Sequence, residues 1–199
     1  MKIGIVSDVH CQHEILAETV AAMDREGVDE ILLAGDAHYE YRFSNEVVEL
    51  TREHKMRYVL GNHEMMLMGP RGERAATAPH VRQANADFVR ETPDRIRTQV
   101  GGKILTMVHA SPWQPFDQYL YRGNPQFERC DELDTDYLIL GHTHVPMSER
   151  FGRTLVINPG SLAFSRDEGA FDLITYAILD TTTDEVRLIR EPKTKPLPT

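Results

Sequence analysis

Residues 3–36 read IGIVSDVHCQHEILAETVAAMDREGVDEILLAGD, and the order of signals along this stretch decides the fold. A short apolar run, Ile3-Gly4-Ile5-Val6, ends at Ser7-Asp8-Val9-His10. Gln12 to Glu26 then sets Ile15, Leu16, Val20 and Met23 at helical spacing, and Gly27 supplies the stop. A second apolar run, Ile31-Leu32-Leu33-Ala34, closes on Gly35-Asp36. Strand, helix and strand in that order predict a parallel sheet covered by helices. Both strands hand over to a residue type that binds metal ions.

The same grammar continues outward. Residues 43–54 read as a helix leading to Tyr58-Val59-Leu60, which ends at Gly61-Asn62-His63-Glu64. Ile104 to Val108 ends at His109, and Tyr137 to Leu140 ends at Gly141-His142-Thr143-His144. These runs are too short for confident helices and read as buried strands, whose ends would lie in a row where ligands converge. Residues 69–80 suggest a loop, and 81–91 a helix stopped by Pro93. Gly101-Gly102 predicts a hairpin turn between Arg95–Val100 and Lys103–Val108. Further strands are expected near 145–150, 154–157, 171–180 and 185–190, with turns at 151–153 and Thr181–Asp184. The expected fold class is α/β, a four-layer α-β-β-α sandwich of two mixed sheets with the active site at the strand ends. A single domain over 1–190 and a loose C-terminal tail over 191–199 complete the expectation.

A chain of 199 residues that is 41% hydrophobic can bury a substantial core. Its net charge of -9 repels polyanions, so bulk nucleic-acid binding is not expected. Bound cations would still dominate the field of their own site. No apolar stretch approaches the roughly 18 residues of a membrane span. The strand entered at Lys2 leaves no room for a signal peptide, which gives a cytoplasmic expectation. Cys11 and Cys130 are read as reduced. Cys11 reads as a small buried thiol, with a place in or beside a metal site as the alternative.

In extended backbone, residues i and i+2 point the same way, so Asp8 and His10 are expected to grip one ion together, as are His142 and His144. Carboxylate, imidazole and amide donors suit Mn, Fe, Co, Ni or Zn better than Ca. Asp36, the lone acid between the paired clusters, is the best candidate to bridge two ions roughly 3.5–4 Å apart. Asp167 lies outside the pattern. A single histidine of this kind would be an ordinary core or surface residue; five clusters at strand ends are not.

With these blocks in place, the chain resembles the calcineurin-like metallophosphoesterases. That pattern is D-x-H, G-D, G-N-H-[DE], H and G-H-x-H, and all five blocks stand in order across residues 8–144. Asn158-Pro159-Gly160-Ser161 also resembles the following loop of the small bacterial and archaeal phosphodiesterase branch. The resemblance implies that Asp8, His10, Asp36 and His144 hold one divalent transition-metal ion, while Asp36, Asn62, His109 and His142 hold a second. Manganese is the foremost candidate, with Fe, Ni, Co and Zn open. It further implies that a metal-bridging hydroxide attacks phosphorus, that His63 protonates or polarises the leaving oxygen, and that Glu64 orients or supports.

The chain also departs from its relatives. The second block reads Gly35-Asp36-Ala37-His38-Tyr39-Glu40, without the phosphate-binding arginine of the Ser/Thr protein phosphatases, and Cys11 stands where many relatives have glycine. His38 is open as an extra ligand or a loop residue. Trp113, Tyr119 and Arg122, with Phe116 and Tyr121 nearby, are candidates to stack a base or aryl ester and pair with phosphate; ordinary packing or a dimer face is the alternative. Arg71, Arg74 and Arg166 carry the same ambiguity. The expected function is hydrolysis of a small phosphoester, a phosphodiester above all, with a phosphomonoester or dinucleotide polyphosphate as alternatives. A non-catalytic interaction module, such as the retromer subunit of this superfamily, is the alternative of a different class. The partner is a small phosphoester substrate, with no membrane; a homodimer is left open.

Overall fold

Strands that are apolar on both faces need cover on both sides. The computed structural model, which describes residues 1–167 and 172–193, supplies it with two stacked five-stranded sheets. The first runs in the order β10 (Glu185–Pro192), β9 (Leu173–Asp180), β1 (Lys2–Val6), β2 (Glu30–Leu33) and β3 (Arg57–Tyr58). The second runs β4 (Arg95–Val100), β5 (Lys103–Val108), β6 (Tyr137–Ile139), β8 (Thr154–Asn158) and β7 (Met147–Phe151). β1, β2 and β3 pair in parallel, as do β5, β6 and β8. Antiparallel strands complete both sheets.

Alternation along each strand sorts the core into layers. Ile3, Ile5, Leu32 and Leu179 meet Leu105, Met107, Ile139 and Ile157 between the sheets. Val6, Ile31, Leu33, Tyr176 and Ile178 face the other way, onto Leu16, Val20 and Met23 of α1 (His13–Arg25) and Val47 of α2 (Asn45–Glu53). The outer face of the second sheet, with Leu138 and Val156, is covered by Phe127 and Cys130 of a 3-10 segment, Pro125–Leu133. α2 packs further against α3 (Asn62–Leu67), α4 (Glu73–Ala76) and α5 (Gln83–Glu91) through Val48, Leu67, Ala76 and Val89. Among the described residues no helix is long and apolar enough to cross a membrane.

Several expected boundaries shift for local reasons. Ser44 accepts the Val47 amide, so α2 starts at Asn45 rather than 43. The stretch 69–80, expected as a loop, contains the one-turn helix α4. The 3-10 segment carries no strong apolar period and was not anticipated. β10 continues to Pro192, paired with Leu173, and Lys193 donates to the Asp172 carbonyl. Residues 191 and 192 are therefore the last rungs of the strand, not the start of a tail. Residue 171 and residues 194–199, also covered by expectations, lie outside the described residues.

Candidate metal centre

The parallel strands of both sheets end on one edge, and the predicted ligands follow them. Asp8 comes two residues after β1, Asp36 three after β2, Asn62 four after β3, His109 directly after β5, and His142 three after β6. The two sheets are stitched together here. His109 Nδ1 donates to the Ala34 carbonyl at 2.7 Å, and the His142 amide donates to Asp8 Oδ2 at 3.0 Å.

The backbone at these positions is not extended, which corrects the expected basis for the i, i+2 pairs. Asp8, His10, His142 and His144 have φ of 53°, 45°, 66° and 60°, and Asp36 has 52°. Left-handed conformations cost non-glycine residues about 1–3 kcal/mol each, and such strain clusters at functional sites. Two glycines leave room for the turn. At Gly35, with φ of 90°, a Cβ would enter the His109 ring, and at Gly61 it would enter the Asp36 carboxylate.

Three imidazoles are held by the same device. Nδ1 of His10, His109 and His144 faces the backbone carbonyl of His38, Ala34 and Phe164 at 3.3, 2.7 and 2.8 Å. A carbonyl only accepts, so Nδ1 donates and Nε2 is left facing the cluster. His144 Nε2 lies 3.0 Å from Asp8 Oδ1 and 3.4 Å from His10 Nε2. His109 Nε2 lies 3.1 Å from Asp36 Oδ2 and 3.2 Å from Asn62 Oδ1. The donors form three groups, each within 4.8 Å: Asp8 with His10 and His144, Asp36 with His109 and His142, and His10 with Asp36 and His63. Asp36 and His10 each belong to two of them.

The donor set fits divalent cations. His142 Nε2 is buried without a hydrogen bond, a cost of roughly 1–3 kcal/mol that coordination would remove, and Asp8 Oδ1 meets only imidazole nitrogens, His144 Nε2 at 3.0 Å and His10 Nε2 at 3.8 Å. Burial outweighs the nearby carboxylates at His10 and His142 and pushes both rings down to about 4, so they are neutral donors at pH 7. Burial opposes ionisation of Asp8 and Asp36, but the hydrogen bond and positive field of His144 at the first, and the positive field of His109 at the second, hold them below the usual carboxylate range. Burial also opposes protonation of His109, yet the charge and hydrogen bond of Asp36 push that ring up to about 10.

Supporting residues complete the edge. Glu64 is fully buried and accepts the amides of Asp36, His38 and Gly61 at 2.9, 2.7 and 2.8 Å. Burial, helped by the Asp36 charge, pushes its carboxyl up to about 7. The Asn158 to Ser161 loop braces the ligand loops: Asn158 Nδ2 donates to the Gly141 carbonyl at 2.6 Å, and Ser161 Oγ to the Asp8 carbonyl at 2.9 Å. Asp167 forms an ion pair with Arg190 and is structural. The Cys11 thiol donates to the Arg42 carbonyl and Cys130 lies in the core; both are free. His38 is buried, accepts the Ser44 amide and stacks on Phe43, while burial pushes its ring down to about 3.

A cleft of about 310 Å³ lies over the cluster, walled by Tyr39, His63, Tyr119, Phe164 and Arg166. Tyr119, a predicted substrate contact, stacks on His142 with centroids 3.8 Å apart. Two other candidates lie elsewhere. Trp113 is 5% exposed and packs in the core against Phe127 and Leu138. Arg122 is largely exposed and lies 3.9 Å from Glu149, outside the cleft. Arg71 and Arg74 line a separate surface hollow. Sequence reasoning missed Glu40, which pairs with His63 Nδ1 and lies four residues beyond Asp36, and Tyr39, stacked on His10. Their position after Gly35-Asp36 was the sole available signal.

Comparisons with known proteins give relatives in sequence and in fold. The Bacillus subtilis protein named "Probable metallophosphoesterase YsnB" is 25% identical over 185 residues, covering 92% of this chain and 86% of its own. The crystal structure of a metallophosphoesterase from Sphaerobacter thermophilus is 25% identical with a TM-score of 0.74, over 97% of this chain and 89% of that one. An archaeal phosphodiesterase structure shares the fold at 23% identity and a TM-score of 0.63, over 96% of this chain and 100% of its own. Residues 1–184 match the family model described as the calcineurin-like phosphoesterase superfamily domain, and the chain belongs to that superfamily of metal-dependent phosphoesterases.

Proposed function

We propose that the chain hydrolyses a small phosphodiester with two divalent cations. One would be held by Asp8, His10, Asp36 and His144, the other by Asp36, Asn62, His109 and His142. The observation that carries this reading is the set of three imidazoles locked through Nδ1, with Nε2 turned toward two buried carboxylates. Asp36 is proposed as the shared ligand because it lies in two of the three donor groups and, unlike His10, which also does, its carboxylate offers two donor oxygens. Manganese is the first choice for a mixed set of carboxylate, imidazole and amide donors. Two bound cations supply neutralisation of phosphoryl charge and acidify water for attack.

The chain's own residues supply the rest. His63 Nε2 faces the cluster, 3.7 Å from Asp36 Oδ2, and would give its proton to the departing oxygen. Glu40 pairs with Nδ1 of the same ring, which fixes the ring's orientation; a ring with protons on both nitrogens is the form that donates from Nε2. Arg166 on the cleft wall would pair with a non-bridging phosphoryl oxygen, and Tyr119 and Phe164 would flank the substrate. The unbroken set of ligand positions weighs against a module without turnover.

The test is hydrolysis of bis(4-nitrophenyl) phosphate and 4-nitrophenyl phosphate with Mn, Co, Ni, Fe or Zn added in turn. The expected outcome is turnover of the diester at higher kcat/KM than the monoester. Absence of turnover of both with every metal would overturn the reading.

A further inference from the structure

A second cavity, of about 570 Å³, opens beside the metal centre and shares Asn62 with the cleft. Leu60, Met65, Val108, Ala110, Pro112 and Phe116 form most of its wall, and His109 completes the side next to Asn62. We propose that this cavity binds one organic arm of the substrate, an uncharged, flat and apolar group such as an aryl ring or a heteroaromatic base. This deepens the phosphodiesterase reading and rests on it. Phosphorus over the donor cluster would direct one arm into the cleft and the other past Asn62 into the cavity.

Three observations support an apolar arm. The volume lies within the range of roughly 300–1,000 Å³ common for small-molecule sites. Met65 and Phe116 are 53% and 58% exposed, although large apolar side chains gain most when covered. They come from separate segments, α3 and the coil after β5, and both line this one hollow. The polar groups decide against a second anionic arm. Asp94 and Asp117 contribute two carboxylates, while His109 is turned to Asp36 at 3.1 Å and Arg95 already donates to the Pro112 carbonyl at 2.9 Å. A polyphosphate chain would be repelled there, whereas amino groups on a heteroaromatic ring would find acceptors. A phosphomonoester has a single organic arm and would leave one of the two spaces unfilled.

The experiment compares wild type with the double variant Met65→Ala, Phe116→Ala. Both side chains are more than half exposed, and a thermal unfolding curve checks that the variant folds. In calorimetry on the manganese-loaded protein, phenylphosphonate is expected to bind at least about tenfold more tightly than methylphosphonate. The double variant should lose that preference, and its KM for bis(4-nitrophenyl) phosphate should rise about tenfold while kcat stays within about threefold. Equal affinity for the two phosphonates in wild type, or an unchanged KM in the variant, overturns the cavity proposal while diester turnover leaves the phosphodiesterase reading intact. Loss of turnover with every metal in wild type removes both.

Discussion

Glu64 shows how much of the centre is held by residues that touch no substrate. Its two oxygens take three amide protons from the loops that carry Asp36, His38 and Gly61, so one buried carboxylate sets the distance between two ligand loops. His63, its neighbour, lies a quarter exposed at the cleft. That difference separates positioning from chemistry. Asn62→Ala and His142→Ala are expected to lose bound metal and activity together. His63→Ala should retain metal and lower kcat by about 10²–10⁴, and Glu40→Gln by about tenfold. Metal content by plasma emission, set beside kcat for each purified variant, checks the division; comparable metal loss in His63→Ala would refute it. Ligand types were readable from sequence because each follows an apolar run. The conformations were not, since Asp8 and His10 converge through positive φ rather than through a pleat. For Trp113 the packing alternative holds, and sequence left it open because aromatic composition does not say which face a coil residue presents.

The elements owe their positions to contacts that cross between sheets. Asp184 sits in the turn from β9 to β10 with φ of 60°, and its carboxylate takes protons from Lys103 on β5 and Tyr137 on β6, with Arg150 of β7 3.3 Å away. One turn of the first sheet is thereby tied to three strands of the second. The hydrogen bonds from Lys103 and Tyr137 lower the Asp184 carboxyl below its ordinary value. A carboxyl lowered on folding stabilises above its unfolded pKa and loses that contribution as pH falls through the folded value. Because these partners are partly exposed, Asp184→Asn should cost only about 0.5–1 kcal/mol at pH 7, and the gap from wild type should narrow as the pH falls toward the lowered folded value. Urea unfolding midpoints at pH 7 and pH 2.5 measure it; a gap that widens in acid would contradict the argument. The strand order itself was partly readable: alternating helices announced the parallel β1, β2 and β3, and Gly101-Gly102 announced the hairpin. The insertion of β1 between β2 and β9 was not, because pairing partners so distant in sequence leave no local pattern.

At the scale of the whole molecule, the ligands divide between the sheets: Asp8, His10, Asp36 and Asn62 follow strands of the first, His109, His142 and His144 strands of the second. The apolar layer between the sheets therefore fixes the spacing of the donors. Leu105→Ala removes a fully buried side chain from that layer and should cost about 2–5 kcal/mol. It should also weaken metal retention against a chelator, although it touches no ligand. Val89→Ala, in the helical cluster beyond α2, should lower stability without the same loss of metal. Equal metal retention in both variants would argue that the ligand loops hold themselves in place. The pairing of β1 with β9 carries a consequence for the chain as it is made. Lys2 pairs with Asp180, and Asp8 is braced by Ser161, 153 residues later. As the polypeptide leaves the ribosome, the first ligands emerge long before the strand and loop that secure them. The centre is thus assembled from segments made far apart in time, and Asp8 is made well before the loop that braces it.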